Sequence, residues 1–161
     1  MRQGNLRMKR TILAAIIAIL AVCLTGCSKA GDIKVTSCDL VSLSPAGLRS
    51  IDGTVAVGIH NPIFGFKVTG TSGKVYYKGS ELVDFTVDDF DVNGKSDEKY
   101  NLTGHASLAR GVSLLSVLGL ARNINAADYT VDVSATVKAK GLHKTIVRNG
   151  IPLEKMMEAA R

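Results

Sequence analysis

Tryptophan is absent from this sequence, and the other aromatic residues, cysteine and proline are scarce. Aromatic residues make up 5% of the 161 positions, so valine, leucine and isoleucine must supply most of a hydrophobic core. The three cysteines, Cys23, Cys27 and Cys38, are too few for a fold stapled by disulfides. Beyond residue 24 there is no apolar run long enough to cross a bilayer. We therefore expect a domain held together by aliphatic packing.

Acidic residues are absent from the first 26 positions, which carry four basic residues instead. All four lie in the opening segment MRQGNLRMKR, and the apolar run TILAAIIAILAVCL follows at 11–24. A basic segment before an apolar run of this length is typical of a secretory signal, because the run is short for a bilayer span. The segment therefore predicts export.

The end of the apolar run, Leu24-Thr25-Gly26-Cys27, resembles a bacterial lipobox. The resemblance implies cleavage between Gly26 and Cys27, a diacylglycerol on the Cys27 thiol and an acylated N-terminal amine. A thiolate is a good nucleophile for such a transfer, and two or three acyl chains anchor a protein stably where one would not. A simple cleaved signal and an uncleaved membrane anchor are the alternatives.

The sequence thus divides into a signal peptide at 1–26, a lipidated N-terminus and short polar tether at 27–32, and a single domain at 33–161. Cys23 leaves with the signal peptide, so Cys38 is the one cysteine of the domain. Its segment, VTSCDLVSL, alternates like a strand, which predicts a buried structural cysteine rather than a reactive one.

The basic residues of the signal account for most of the net positive charge, and the rest of the chain is nearly neutral. Removing four of the 20 basic residues and none of the 14 acidic ones leaves a net charge of +2. Such a charge is no electrostatic footprint for nucleic acid, so we expect no nucleic-acid partner. The membrane, reached through the lipid on Cys27, is the partner that the sequence predicts.

Alternating apolar and polar residues predict β-strands through most of the domain. The clearest segments are IDGTVAVGIH at 51–60 and YTVDVSATVKAKG at 129–141, each with one apolar and one polar face. Asn93-Gly94 predicts a tight hairpin, because both residues tolerate positive φ. About seven strands separated by turns favour an antiparallel, immunoglobulin-like β-sandwich.

Two segments predict short helices. RGVSLLSVLGLARNINAAD shows helical spacing, and we place a helix at 113–121. Its apolar stripe, which includes Leu115 and Leu118, is expected to pack against the end of the sheets, and docking to a partner or a membrane is the alternative. IPLEKMMEAAR predicts a C-terminal helix with Pro152 near its first turn.

The stretch TVAVGIHNPIFGFKVTGTSGKVYYKGSELVD resembles the late-embryogenesis-abundant type 2 family, also called the water-stress and hypersensitive response domain. The matching residues are Val55, Val57, Ile59, Asn61, Pro62, Phe64, Tyr76, Tyr77 and Gly79. Ile63 departs from the asparagine that the family often repeats at this point. The resemblance extends loosely from about 33 to 151. It implies a compact immunoglobulin-like β-sandwich with one helix, an association with desiccation or stress tolerance, and no enzyme activity.

Asn61-Pro62 has an interpretation that does not depend on the family. A residue before proline favours extended geometry, and an asparagine side chain can cap backbone groups at a turn. We therefore assign this pair a structural role ahead of a binding role.

No catalytic or metal-binding pattern emerges from the residue spacing. The histidines do not fall at metal-ligand spacing; they are His60, His105 and His143. NGKS at 93–96 lacks a phosphate-loop glycine, GTSGK at 70–74 lacks the spacing of a nucleophile elbow, and both predict turns. The acids Asp84, Asp88, Asp89 and Asp91 do not match an EF-hand, and a charged strand edge is expected instead. We predict no catalytic residue, no metal and no cofactor.

Together these features predict a non-enzymatic, lipid-anchored module of the cell envelope, either stress-protective or ligand-binding. The alternative is an adaptor or assembly lipoprotein that docks an envelope complex through a sheet edge or its helix. A hydrolase or a metal protein is the third hypothesis. Ser28 is not the aspartate that retains enterobacterial lipoproteins in the inner membrane, which favours an outer-membrane protein facing the periplasm.

Overall fold

The computed structural model describes residues 33–155. The predicted signal peptide, the lipidation site Cys27 and the tether lie outside these residues, as does most of the predicted C-terminal helix. Residues 153–155 are helical, and Leu153 is buried. Within 33–155, no helix combines the length and the apolar character that a membrane crossing requires.

Residues 33–155 form eight strands, one α-helix and one short 3-10 helix, besides the helical residues 153–155. The strands are β1 Lys34–Pro45, β2 Ser50–Asn61, β3 Phe66–Tyr77, β4 Ser80–Val87, β5 Phe90–Val92, β6 Ser96–Leu108, β7 Tyr129–Ala139 and β8 Leu142–Pro152. The helix α1 spans Leu114–Arg122, and the 3-10 helix spans Ala126–Asp128. All strand pairs are antiparallel, so the prediction of a mainly antiparallel β-sandwich fold is confirmed.

The strands form one sheet in the order β1-β2-β6-β4-β3-β7-β8, with β5 added on β3. The sheet folds over, so that β1, β2 and β6 make one layer and β3, β7 and β8 the other, with one hydrophobic cluster between them. At one end β4 joins the layers, since its residues 83–87 pair with both β3 and β6. At the other end β5 lies beside β3 instead, with Phe66 opposite Val92.

The core consists of the apolar positions of the alternating segments. Val55, Val57 and Ile59 of β2 are 2%, 0% and 1% exposed, and they share one cluster with apolar residues of β3, β6 and β7. Full burial of a side chain of this size stabilises a fold by roughly 1.5–3 kcal/mol. Since neighbours along a strand point to opposite faces, Thr54 lies on the outer face, where its hydroxyl is 3.2 Å from that of Thr103.

The predicted turn at GTSGK is wrong, because these residues continue β3. A bulge shifts the register between Thr69 and Ser72, and Gly70 takes a φ of +60° there. The Gly70 amide donates to Asp89 Oδ1 at 2.9 Å. A bulge admits one extra residue without ending the strand, which is why a glycine-rich stretch that looks like a turn remains in the sheet.

The predicted hairpin at Asn93-Gly94 is also wrong. The strands on either side do not pair with each other, since β5 pairs with β3 and β6 pairs with β2 and β4. The turn therefore carries the chain from one layer to the other. Positive φ falls on Lys95, at +48°, and not on Gly94. A glycine is required at position 94 because any larger residue would place its Cβ 2.5 Å from the Gly65 amide nitrogen.

The helix prediction is right in position, but Leu115 does not pack as expected. Helix α1 begins one residue after Ser113, whose hydroxyl accepts a hydrogen bond from the Ser116 amide at 3.1 Å. Leu114 and Leu115 are 41% and 81% exposed, and the buried core cluster contains no described side chain of this helix. The expectation that the apolar stripe packs against the end of the sheets is therefore wrong for Leu115, whereas Val117 and Leu120 are half-buried and the side chain of Leu118 lies outside those that the structure describes.

Candidate functional site at the Asn61 pole

The domain has two ends, which differ in what they expose. We call one end the Asn61 pole: it comprises the start of β1 at Lys34, the loop 62–65, the turn 93–95 and the turn 140–141. The strand register brings these together, since Lys34 pairs with His60 and Lys67 pairs with Lys138. The opposite end, the Leu48 pole, comprises the loop 46–49, the turn 78–79 and helix α1.

Asn61 ties the loops of its pole together. Its side chain is fully buried at 0% exposure. The Nδ2 group donates to Phe64 O at 3.1 Å and to Asn93 O at 3.0 Å, while Oδ1 accepts from the Ile63 amide at 3.1 Å. A buried amide side chain that satisfies three backbone groups fixes those groups relative to one another.

Further hydrogen bonds hold the turn 93–95 against the loop 62–65. The Lys95 amide donates to Ile63 O at 2.7 Å. Tyr100 accepts from the Asn93 amide at 2.9 Å and donates to Glu98 at 3.0 Å. These hydrogen bonds make the pole rigid. They join a turn and a loop that are distant in the sequence, so residue spacing alone does not predict them.

The turn 140–141 lies over the aromatic ring of the loop. Lys140 Nζ is 4.5 Å from the centroid of the Phe64 ring, within the range of a cation–π interaction. Lys140 takes a φ of +50° and Gly141 a φ of +76°, the conformation of a two-residue hairpin turn that usually selects asparagine and glycine. Leu142, at the tip of the same hairpin, is 77% exposed.

A row of basic residues crosses the outer face next to these tips. Lys67 of β3 is opposite Lys138 of β7, which is opposite His143 of β8. Both lysines are exposed, and only one carboxylate approaches Lys67, that of Asp91 at 3.9 Å, among the ion pairs of residues 33–155. Like charges placed directly opposite each other cost stability, so this row is not explained by folding.

A second polar cluster lies on the outer face of the other layer. His105 Nδ1 is 2.7 Å from Asp52 Oδ1, and its Nε2 is 3.2 Å from Asp88 Oδ1. The hydrogen bond to Asp52 is the main cause that raises the pKa of His105, and the charges of both aspartates add to it against a lowering by desolvation. Since both ring nitrogens face carboxylates, the doubly protonated ring is favoured. This arrangement stabilises the protonated ring, with a carboxylate at each ring nitrogen.

The other predicted site residues are dispersed. His60 is 3.8 Å from Asp97, and His143 lies on β8. The four acids of 84–91 serve separate partners: Asp84 approaches Lys74, Asp88 approaches His105, Asp89 accepts from Gly70 and Asp91 approaches Lys67. Among residues 33–155, no three His, Cys, Asp or Glu side chains are grouped so that they could hold a metal ion.

Comparisons with known proteins add little. No family model matches this chain, and no curated protein matches it. A solved structure of a protein from Archaeoglobus fulgidus is similar with a TM-score of 0.47 and 11% identity, covering 71% of this chain and 91% of that chain. The GAE domain of yeast GGA1 gives 0.31 and 9%, covering 73% and 97%. The GAE domain of GGA2p from Saccharomyces cerevisiae gives 0.28 and 7%, covering 74% and 98%. These scores are too low to carry an argument about function.

Proposed function

We propose that this protein is a non-enzymatic, lipid-anchored module of the bacterial cell envelope, held through Cys27 in the outer membrane and facing the periplasm. The observation that carries the proposal is Leu24-Thr25-Gly26-Cys27 at the end of a basic-then-apolar segment. A lipobox at the expected distance behind a signal peptide is a compound motif, and both parts agree on the same cleavage point.

The fold is compatible with an anchor close to the domain. Strand β1 begins at Lys34, so the chain from the lipidated cysteine to the sheet consists of residues 27–33. Seven residues span at most about 25 Å when fully extended. The Asn61 pole, where β1 begins, is therefore the end that the anchor keeps near the bilayer.

A protective or ligand-binding role of the late-embryogenesis-abundant type 2 kind is the activity we propose for the domain. It is supported by the family-like segment around Asn61-Pro62, whose asparagine makes backbone hydrogen bonds in this structure.

The anchor is tested by Cys27→Ala, with Cys23→Ala as the matched control. Cys27→Ala should leave a full-length, unacylated precursor, whereas Cys23→Ala should be processed normally because that residue is lost with the signal peptide. Labelling cells with a clickable fatty acid and comparing the sizes of the two products measures the difference. Equal labelling of both variants would refute the anchor.

The protective role is tested in cells that lack the protein. We expect lower survival after drying and after osmotic shock, restored by the wild-type chain and not by Cys27→Ala. Survival equal to that of the parent strain would remove the protective role and leave the anchor untouched.

An adaptor function is the second candidate, because the Leu48 pole exposes large apolar side chains. Leu48 is 91% exposed and Leu115 is 81% exposed, both at the end of the domain farthest from the tether. Crosslinking in intact cells followed by affinity capture should then recover one partner near equal stoichiometry. Leu115→Glu should abolish this recovery, while Leu142→Glu at the other pole should not.

A further inference from the structure

We propose that the Asn61 pole rests on anionic phospholipid headgroups of the membrane that holds the Cys27 lipid. The inference deepens the proposed anchor: the tether brings this pole to the surface, and the side chains of the pole then bind the surface. Four observations support it: the reach of the tether, the charge of the pole, its exposed apolar tips and its rigidity.

The charge of the pole is complementary to an anionic surface. Its lysines are Lys34, Lys67, Lys95, Lys138 and Lys140, all exposed. Three carboxylates lie nearby, so the five lysines outnumber them by two: Asp91 is close to Lys67, Asp97 is close to His60, and Glu98 accepts hydrogen bonds from Asn93 and Tyr100. Basic side chains near a membrane surface are each attracted by its negative potential, and the attraction fades within about a Debye length. The domain as a whole is nearly neutral, so this attraction orients it as well as binding it.

The opposed lysines Lys67 and Lys138 indicate that the charge is there for a ligand. Their Cα atoms are partners in the β3–β7 ladder, where like charges repel. Lys140 adds to the same region from a turn position that asparagine or glycine would occupy with less strain. A polyanionic surface relieves the repulsion, because it places negative charge opposite all three ammonium groups.

The apolar tips of the pole suit the boundary between headgroups and acyl chains. Phe64 is 37% exposed, and Leu142 is 77% exposed on the neighbouring hairpin. Aromatic rings and leucines flanked by lysines are typical of segments that lie at a membrane interface. Here the tips come from two loops that Lys140 joins by its contact with the Phe64 ring.

The pole is presented as a preformed surface. Asn61 fixes the loop 62–65 to the turn 93–95 through buried hydrogen bonds. A surface that is already ordered loses little conformational entropy on binding, so weak individual contacts suffice beside a covalent anchor.

Single tryptophan variants test the contact, since the chain contains no tryptophan of its own. Phe64→Trp and Leu142→Trp report on the Asn61 pole, and Leu48→Trp, at a position 91% exposed on the Leu48 pole, is the control. The lipidated proteins are purified from cells and placed in vesicles whose acyl chains are brominated, with and without anionic phosphatidylglycerol. We expect quenching several times stronger at the first two positions than at the third, and only in the anionic vesicles. Equal quenching at all three positions would overturn the proposal.

A charge test uses two lysines in nearly the same local structure. Lys140→Asn and Lys78→Asn each remove one ammonium from a Lys-Gly turn, but at opposite poles. For lipidated Leu142→Trp protein placed in anionic vesicles, Lys140→Asn should weaken docking of the pole by roughly fivefold, seen as weaker quenching of the tryptophan, and Lys78→Asn should leave the quenching unchanged. Equal effects would contradict the proposal.

These measurements distinguish a failure of the pole proposal from a failure of the anchor proposal. If Cys27 carries no lipid but added anionic vesicles still quench the tryptophan of Phe64→Trp, the pole proposal survives and the anchor fails. If Cys27 carries lipid and this tryptophan is never quenched, the anchor survives and the pole proposal fails. If the tryptophan is shielded from a water-soluble quencher in intact cells but not in vesicles, the pole contacts a protein partner, and this result would overturn the lipid contact.

Discussion

The two poles contain nearly the same turn in two different settings. Lys78-Gly79 has φ values of +46° and +82°, and Lys140-Gly141 has +50° and +76°. Lys78 lies 5.4 Å from the ring of Tyr77, its own neighbour in the chain, whereas Lys140 lies 4.5 Å from the ring of Phe64 in a different connection. The ammonium group of Lys78 thus contacts a ring of its own hairpin, while the Lys78 amide donates to Asp128 O at 2.8 Å, whereas the ammonium group of Lys140 bridges two connections. What distinguishes the poles is their tertiary surroundings and their distance from the N-terminal tether.

The largest difference between the poles should come from Asn61→Ala. The change leaves Phe64 O and the Ile63 amide without the partner they have now, while Asn93 O keeps the hydrogen bond from the Ser96 hydroxyl at 2.6 Å. Buried polar groups left unsatisfied cost about 1–3 kcal/mol each, and partial relaxation should bring the total loss in free energy of unfolding to about 3 kcal/mol. Urea denaturation measures this loss.

The control for Asn61→Ala is Asn125→Ala at the other pole. Asn125 caps the 3-10 helix by accepting from the Ala127 amide at 3.3 Å, in an exposed position. The loss there should stay below about 1 kcal/mol. Equal losses for the two asparagines would show that the Asn61 pole is not the more tightly built of the two.

Gly94→Ala should have the next largest effect. An added Cβ would lie 2.5 Å from Gly65 N, 2.8 Å from Phe64 C and 2.9 Å from Ile63 O, all of them backbone atoms that the Asn61 network holds. We expect a loss of about 1–3 kcal/mol in unfolding free energy, measured by thermal or urea denaturation.

Gly119→Ala in α1 provides the contrast. Among the described residues, no atom lies within 4 Å of a Cβ built at this position. Alanine favours the helical conformation by up to about 1 kcal/mol over glycine, so this variant should be more stable than the wild type. A destabilised Gly119→Ala protein would mean that α1 is packed against something at the Leu48 pole.

His105 makes stability depend on pH. Its pKa is raised above the ordinary 6.5 by Asp52 and Asp88, so the contribution is fully present below that value and is lost as pH rises through the higher folded pKa. We expect His105→Gln to remove this part of the pH dependence, with wild type and variant converging above the folded pKa. Chemical denaturation at a series of pH values above 5 measures it, and parallel curves would contradict the assignment.

The smallest effect on stability should come from the paired turn variants. Lys78→Asn and Lys140→Asn keep a residue that tolerates the left-handed conformation, so each should change the free energy of unfolding by no more than about 0.5 kcal/mol. Their difference should appear in vesicle binding instead. A large loss of stability for Lys140→Asn alone would mean that the Phe64 contact is needed for folding rather than for a surface.

Much of the fold was predictable from local patterns. Strands β2 and β7 follow from strict alternation over long segments, and the position of α1 follows from helical spacing of its apolar residues. The failures share a cause. Asn93-Gly94 marks a turn but does not say which strands pair on either side, and the apolar spacing of α1 does not say whether Leu115 finds a surface to cover it.

The candidate site was less predictable, because its parts meet only in the folded chain. His105 joins Asp52 and Asp88 across 53 and 17 positions of sequence. Lys67 and Lys138 become neighbours only through the pairing of β3 with β7. A sequence signal did exist for Asn61, since an asparagine before proline at the end of an alternating strand indicates a capped turn, but its link to Asn93 depends on the crossing between the layers.

The mass of the N-terminal peptide from the protein purified out of its own membrane tests the central claim most directly. The account predicts a mature peptide that begins at Cys27 and carries a diacylglycerol on the thiol, with or without an acyl chain on the amine. A peptide that begins elsewhere, or an unmodified Cys27, would contradict it.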